Sequence, residues 1–293
     1  MATVLDGEPV ATSITDRVRS DLSTLTDGGP PPTLGTVLMS DADGANRFMD
    51  VKHEACDAFG LDSRDVRVAP TAPASDLYDA IEDFASDPDV DAIFVQIPLP
   101  DHVDESEVRR RIPPAKDVDC FSPLALGRAL AGEWPIEPVT PRAIRRLLAH
   151  YDVETVGADV TIVGRSTAIG RPLANMLLQR GPGGDATVTV CHTSTRNLTE
   201  KTRRADLLIT ACGVPELLGR DAVGAGATVV DVSANRIDAD SEQGYRVVGD
   251  VDHEAVRESV DALTPTPGGV GPVTKAVFLE NVVTLAAARR ADR

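Results

Sequence analysis

With 293 residues, 42% hydrophobic content and only 3% aromatic residues, the chain has the length for two domains and a core built on Val, Leu, Ile and Ala. Asp and Glu total 46 against 29 Lys and Arg, a formal net charge of −17, which argues against nucleic acid or an anionic membrane as partner. No apolar run reaches the ~18 residues of a membrane span, the N-terminus carries no secretory pattern, and the four cysteines (Cys56, Cys120, Cys191, Cys212) show no paired metal spacing. A reduced, cytoplasmic protein without a metal is the expectation.

Lysine occurs only at 52, 116, 201 and 275. An acidic, lysine-poor surface suits concentrated salt, where self-repulsion is screened, so a halophilic protein is expected. The same scarcity marks each retained lysine as a candidate for chemistry.

Along the chain, Val10, Ile14, Val18, Leu22 and Leu25 recur at helical spacing and predict an amphipathic helix over 8–26, ended by the Gly/Pro run at 28–32. A strand is predicted at 34–39, a helix at 46–59 stopped by Gly60, and a short strand at 66–68. A helix at 75–85, a buried strand at 92–96 and a helix at 105–112 follow. Such alternation predicts a parallel sheet covered on both faces. After Pro138-Val139-Thr140-Pro141, a helix at 142–151 leads to a second series. Its strands are expected at 159–163, 186–191, 206–211 and 227–232, with 246–248 as a shorter fifth. The final helix, about 273–290, is expected to pack back on the first domain. The fold class is therefore α/β with two domains: an N-terminal α/β domain over 1–141, joined by 273–293, and a Rossmann-like domain over 142–272, with the active-site cleft between them.

The second series contains a nucleotide signal. Val160-Thr161-Ile162-Val163 runs into Gly164-Arg165-Ser166-Thr167-Ala168-Ile169-Gly170-Arg171-Pro172 and then an apolar helix. Strand, glycine turn and helix N-terminus form the phosphate-binding arrangement of dinucleotide folds. The glycines at 164 and 170 do not give GxGxxG, so the pattern alone also fits an ordinary strand-to-helix turn. An acid commonly takes the ribose 2′-hydroxyl at the end of the next strand. Here that strand ends Cys191-His192-Thr193-Ser194 with no acid. Arg165, or His192 with the hydroxyls of Thr193 and Ser194, suits a 2′-phosphate instead, which favours NADP over NAD. Gly213 and Ser233-Ala234-Asn235 fall at the ends of the third and fourth strands, where ligands of open sheets bind.

Pro267-Gly268-Gly269-Val270-Gly271-Pro272-Val273-Thr274 packs three glycines and two prolines into eight residues. Proline fixes φ, and glycine admits positive φ and close approach of the backbone to a ligand. Alone, the segment fits a helix entry with Pro272 in its first turn.

Together these segments resemble the bifunctional methylenetetrahydrofolate dehydrogenase/methenyltetrahydrofolate cyclohydrolases. The resemblance rests on Leu5-Asp6-Gly7, Lys52, Val95-Gln96-Ile97-Pro98-Leu99-Pro100, Lys116-Asp117-Val118-Asp119 and residues 138–141. It continues through Gly164-Arg165-Ser166 with Gly170 and Pro172, Asp231-Val232, Asn235-Arg236, Gly249-Asp250-Val251-Asp252 and residues 267–274. They fall in the family's order and cover nearly the whole chain. The resemblance implies oxidation of 5,10-methylenetetrahydrofolate with NADP⁺, then hydrolysis of the methenyl cation to 10-formyltetrahydrofolate, in one-carbon metabolism that supplies purine and related biosynthesis. No metal is needed, because the substrate's cationic carbon is the electrophile. It also implies a homodimer formed through the nucleotide domain, and folate binding by the first domain.

At these positions Lys52 is expected to manage protons, its pKa lowered by desolvation. Gln96 is expected to hydrogen-bond Lys52 and orient it, and Asp119 to accept hydrogen bonds from the pterin. Phe48 is expected to stack on the aminobenzoyl ring, while Pro98, Leu99, Pro267, Gly268, Gly269 and Val270 line the folate. Gly164, Arg165, Ser166, Gly170, His192, Thr193, Ser194, Gly213 and Ala234 are expected to hold NADP. Departures from the family's usual residues are Phe48 for Tyr, Ala45 for Ser, Cys120 for Gly, Ser122 for His or Thr, Val139 for Cys, and Ser233-Ala234 for Gly-Ile. Loss of the tyrosine hydroxyl at Phe48 motivates one alternative, a dehydrogenase with weak or absent cyclohydrolase activity. An alternative of a different class is a nucleotide-binding scaffold without catalysis.

Overall fold

The computed structural model describes residues 2–27, 29–240 and 244–291. Gly28 of the predicted helix stop, and Met1, Asp292 and Arg293 at the ends of the expected first domain, lie outside the described residues. The chain divides into two units, one of Met1–Thr12 with Thr140–Thr274 and the other of Ser13–Val139 with Lys275–Arg293. The expected division placed residues 1–12 with the first domain. They group instead with the second because their strand pairs there, as described below.

The chain opens with β1 (Thr3–Val4) and α1 (Gly7–Thr26). In the Ser13–Val139 unit, β2 (Thr33–Leu38), α2 (Asp43–Phe59), β3 (Asp62–Arg67), α3 (Ala74–Ser86) and β4 (Ala92–Val95) alternate. Their strands form an all-parallel sheet in the order β3-β2-β4. β2 is central and buried along its whole length. A Cβ at Gly35 would collide with the Phe84 ring, so the glycine lets α3 lie close on the sheet. β3 is twice the length of the predicted 66–68. Its first residues are polar, as suits an edge strand, and give no hydrophobic alternation to read. Gly60, at φ 72°, closes α2 by returning its N–H to Asp57 O at 3.0 Å. The core of this unit is built from Val37, Leu77, Ile81, Ile93 and Val108.

α4 (Glu105–Arg111) is capped by Asp104, which accepts from Ser106 N at 2.8 Å. A helix absent from the predicted set, α5 (Pro123–Leu130), follows. Ser122 Oγ accepts from Ala125 N at 3.3 Å and Pro123 occupies the first turn. α6 (Val139–His150) then begins three residues earlier than predicted.

In the Thr140–Thr274 unit, the order is β5 (Asp159–Val163), α7 (Gly170–Leu177), β6 (Thr187–Cys191), α8 (Leu198–Thr202), β7 (Leu207–Thr210) and β8 (Thr228–Asp231). Then come β9 (Asn235–Asp238), β10 (Tyr245–Val248), α9 (His253–Val256), β11 (Ala262–Leu263) and α10 (Val270–Ala291). Six strands form a parallel sheet in the order β1-β11-β8-β7-β5-β6. The expected fifth strand at 246–248 is not part of it: β10 pairs antiparallel with β9 in a separate hairpin. The positions beyond β8 are filled by two-residue strands, β11 and β1, too short for any periodicity to show.

α10 starts at Val270, so Gly271 and Pro272 lie inside its first turn. It is long and apolar enough, by length and composition, to cross a membrane, yet 61% of its apolar window is buried within the protein. Val273, Val277, Val282 and Ala286 are fully covered, as in a core helix.

Candidate active site

In the Ser13–Val139 unit, Lys52 lies on α2, and the carbon around it comes from three elements. Its Nζ is 4.3 Å from the ring centroid of Phe94 on β4, 5.6 Å from that of Phe278 on α10, and 5.3 Å from that of Phe48 on its own helix. Phe94 and Phe278 meet edge to face, with centroids 5.6 Å apart and planes at 88°. Both are buried, whereas Phe48 is 63% exposed. Desolvation holds the Lys52 amine below the usual lysine range, opposed by attraction to Asp119 and Cys56. Cys56, one turn along α2, is pushed up to about 12 by burial and so stays a thiol.

Asp119 follows the short 3-10 turn at Pro114–Lys116. Its Oδ1 accepts from Val139 N at 2.9 Å. Burial pushes its carboxyl up to about 6, against the lowering effects of that bond and of Lys52. Lys52 and Asp119 therefore sense each other. Two neighbours hold this segment. Asp117 accepts from Phe121 N at 2.9 Å and Ser122 N at 2.6 Å. Asn281 on α10 donates to Val118 O at 2.9 Å and Glu137 O at 3.0 Å. Cys120 sits at φ 50°, a left-handed backbone that favours glycine.

One expected interaction is absent. Gln96 does not hydrogen-bond Lys52; its Nε2 donates to the adjacent Ile97 O at 2.5 Å. A side chain at a strand end reaches its own neighbour's carbonyl at little entropic cost. Its Oε1 is buried without a partner among the described residues, an acceptor that a bound molecule would satisfy. Pro98, exposed, and Leu99, half-buried, follow a cis Ile97–Pro98 bond. Lys116 serves structure: its Nζ donates to Phe84 O at 2.9 Å and Asp87 O at 2.6 Å, at the C-terminal end of α3.

In the Thr140–Thr274 unit the site residues are mostly backbone. Gly164 leaves β5 at φ 139°, and a Cβ there would meet Ala211 O. A Cβ at Gly170 would meet Gly164 O in turn. The turn thus closes only with glycine at both positions and brings the N-terminus of α7 to the end of β5. Ser166 Oγ accepts from Ile169 N at 3.1 Å, which shapes the turn. After β6, His192 N donates to Thr195 Oγ1 at 2.8 Å, and His192 Nδ1 accepts from Ser194 N at 3.2 Å. The exposed Arg165 guanidinium and the Thr193 and Ser194 hydroxyls make no bond among the described residues.

The loops after β7 and β8 converge on Asp250, whose role was not read from the sequence. Its carboxylate accepts from the N–H of Cys212 at 2.8 Å, of Gly213 at 3.3 Å and of Val214 at 2.8 Å. It also accepts from Ser233 Oγ at 2.6 Å and Asn235 Nδ2 at 3.1 Å. Burial alone would raise this carboxyl, but the bonds from Ser233, Cys212 and Asn235 outweigh it and hold it below the ordinary value. Gly213, at φ 69°, and Ala234 are fixed within these two loops.

The segment at 267–270 is shaped by its neighbours in the same unit. Gly268 adopts φ 113° and its carbonyl accepts from Gly7 N at 2.9 Å. A Cβ at Gly7 would collide with Gly269 O, and one at Gly269 with Thr264. Leu5-Asp6-Gly7 is therefore bare at its third residue because the 268–269 backbone lies against it. Val270 is buried, so it faces the interior and starts α10.

These two arrangements define a two-domain α/β enzyme with one dinucleotide-type unit and one unit built around a desolvated lysine. The chain belongs to the tetrahydrofolate dehydrogenase/cyclohydrolase family. Residues 5–119 match that family's catalytic domain and residues 138–290 its NAD(P)-binding domain. Among curated relatives, the bifunctional protein FolD 1 of Haloarcula marismortui is 46% identical over 97% of this chain and 95% of its own. FolD of Natronomonas pharaonis is 47% identical over 98% and 96%. The solved structure of bifunctional FolD from Campylobacter jejuni aligns at a TM-score of 0.90 and 37% identity, covering 99% of this chain and 100% of that one. The Trypanosoma brucei enzyme, complexed with NADP cofactor and inhibitor, aligns at 0.91 and 31%, covering 100% and 99%.

Proposed function

We propose that this protein oxidises 5,10-methylenetetrahydrofolate with NADP⁺ and hydrolyses the resulting methenyl compound to 10-formyltetrahydrofolate. The observation that carries the reading is the Lys52 amine, desolvated among carbon and facing a carboxylate, on a chain whose two halves match the family's two domains. Desolvation lowers the pKa of the amine, which makes its free base easier to reach, and that base can take a proton from attacking water and return it. Asp119, its carboxyl pushed up to about 6 and so mostly ionised at neutral pH, supplies an acceptor for the pterin's N–H groups. The buried Gln96 Oε1 supplies an acceptor, and exposed Phe48 supplies a face for the aminobenzoyl ring, with Pro98 and Leu99 flanking.

NADP fits the residues present. Gly164 and Gly170 close a turn that no side chain could enter, and Arg165, Thr193 and Ser194 offer uncommitted donors where no acid stands. His192, Ser166, Gly213 and Ala234 complete the cradle. When bound, the cofactor supplies the hydride acceptor. We assign the folate role to the unit containing Ser13–Val139 and the cofactor role to that containing Thr140–Thr274. The enzyme acts as a homodimer in the cytoplasm, and its acidic surface suits concentrated salt.

The test supplies methylenetetrahydrofolate with NADP⁺ or NAD⁺ in high KCl and follows methenyl absorbance. Formation followed by enzyme-dependent decay supports both steps. Accumulation without decay would leave a dehydrogenase only, and no formation with either cofactor sinks the reading. Full stability in dilute buffer would remove the salt adaptation, and a monomer by light scattering would remove the dimer.

A further inference from the structure

The orienting role that the sequence assigned to Gln96 is not filled by Gln96. Lys52 Nζ has no hydrogen-bond partner among the described residues; what surrounds it is aromatic carbon. The chain has only six phenylalanines, and three of them stand within 6 Å of this one amine. We infer that Phe94 and Phe278 are the positioning residues of Lys52, holding its amine by ring-face contact so that its hydrogen-bonding capacity stays open to the folate. This rests on the proposed function above for the identity of the folate alone.

The geometry supports this in three ways. Phe94 lies on β4 two residues before Gln96, whose N–H continues the ladder to Val37 O at 3.0 Å, and alternate residues of an extended run point to one face. Its centroid, at 4.3 Å, is within the range of a cation–π contact, while Phe278 at 5.6 Å is near its limit. The two rings pack edge to face, which fixes each against the other. Phe48, 5.3 Å from the amine, is by contrast exposed and stands on the same helix as Lys52. A hydrogen-bonding partner in place of Phe94 would hold the amine equally well but would occupy a donor or the lone pair. The charged and titratable groups facing Lys52 are Asp119, from the segment after β4, and Cys56, on its own helix. Neither changes in the variants below.

The test uses the whole enzyme with Phe94→Leu, Phe278→Leu and Phe94→Tyr. Leucine keeps the surroundings dry but removes the ring face. Reductive ¹³C-methylation yields few signals to resolve, because there are only four lysines, and Lys52→Met identifies the one that matters. Phe94→Leu should lower the Lys52 protonation constant by about two- to thirtyfold, the range of one ring contact from exposed to desolvated surroundings. Phe278→Leu should lower it less, and Phe94→Tyr should restore it. The acid limb of enzyme-dependent methenyl hydrolysis should move to lower pH by the same factor. Ile81→Val, a core change elsewhere in the unit, should lower the melting temperature without moving the Lys52 signal. A Lys52 titration unchanged or raised in Phe94→Leu overturns the inference, even if stability falls. A titration that moves in an enzyme unable to turn over folate would leave the inference standing and reject the proposed function.

Discussion

The two units build their sites by opposite means. In the Ser13–Val139 unit, function sits on side chains whose chemistry burial alters: a lysine pulled down, a carboxyl pushed up to about 6, a thiol pushed up to about 12. In the Thr140–Thr274 unit, it sits on backbone. Gly164, Gly170 and Gly213 set the turns, and Asp250, fully buried, fixes two loops by accepting bonds from both. Proton transfer needs groups that change charge, and these need a tuned environment. Holding a large, constant anion needs donors that stay put, which backbone supplies without titrating.

The sharpest break in this comparison is Lys52→Met. It should reduce enzyme-dependent methenyl hydrolysis by about 100-fold or more while leaving the melting temperature within a few degrees, since the amine makes no structural hydrogen bond among the described residues. Retained hydrolysis would move the chemistry elsewhere. Asp250→Asn should do the reverse. It leaves buried donors without a full set of acceptors, costing about 2–3 kcal/mol in stability, and raises KM for NADP⁺ more than it lowers kcat; calorimetry and initial rates check both. Gly164→Ala should cost about 1–3 kcal/mol through its positive φ and the collision with Ala211, read as a lower melting temperature and weaker NADP⁺ binding.

Asp119 gives a pH signature specific to the first unit. Its folded value, about 6, lies above its ordinary 3.8. The folded state therefore holds the proton more tightly, and the stability it contributes is complete below about pH 4 and lost as pH rises through about 6. Asp119→Asn should abolish that loss, so the two melting curves should diverge as pH rises across this window; parallel curves would contradict the shift. The smallest effect should come from Phe48→Tyr. Adding one hydroxyl should raise the hydrolytic step by about tenfold at most, and a larger gain would mean that the native enzyme is chiefly a dehydrogenase.

Much of this arrangement was legible in the residues. The helical spacing of Val10 to Leu25, the buried run before Gln96 and the strand–glycine–helix series at 160–177 each carry their own periodicity, because their burial is one-sided or complete. The sequence by itself determined the two α/β series, the glycine turn at Gly164 and Gly170 and the absence of an acid after β6, and through the resemblance it marked Lys52 and Asp119 as candidate site residues. α5 carried a readable signal as well, Ser122 followed by Pro123. Polar β3, and β1 and β11 at two residues each, carried none.

Tertiary structure alone decided what surrounds those groups. It paired β1 with β11 at the edge of the six-stranded sheet, set Gly7 against the 268–269 backbone, turned Gln96 toward its own neighbour and made Lys116 a helix cap. It also brought Phe94 and Phe278, 184 positions apart in the chain, to one amine. The reason is physical. Periodicity and turn chemistry are local, whereas desolvation and ring contact depend on which distant residues share a place, and only the packed chain fixes that.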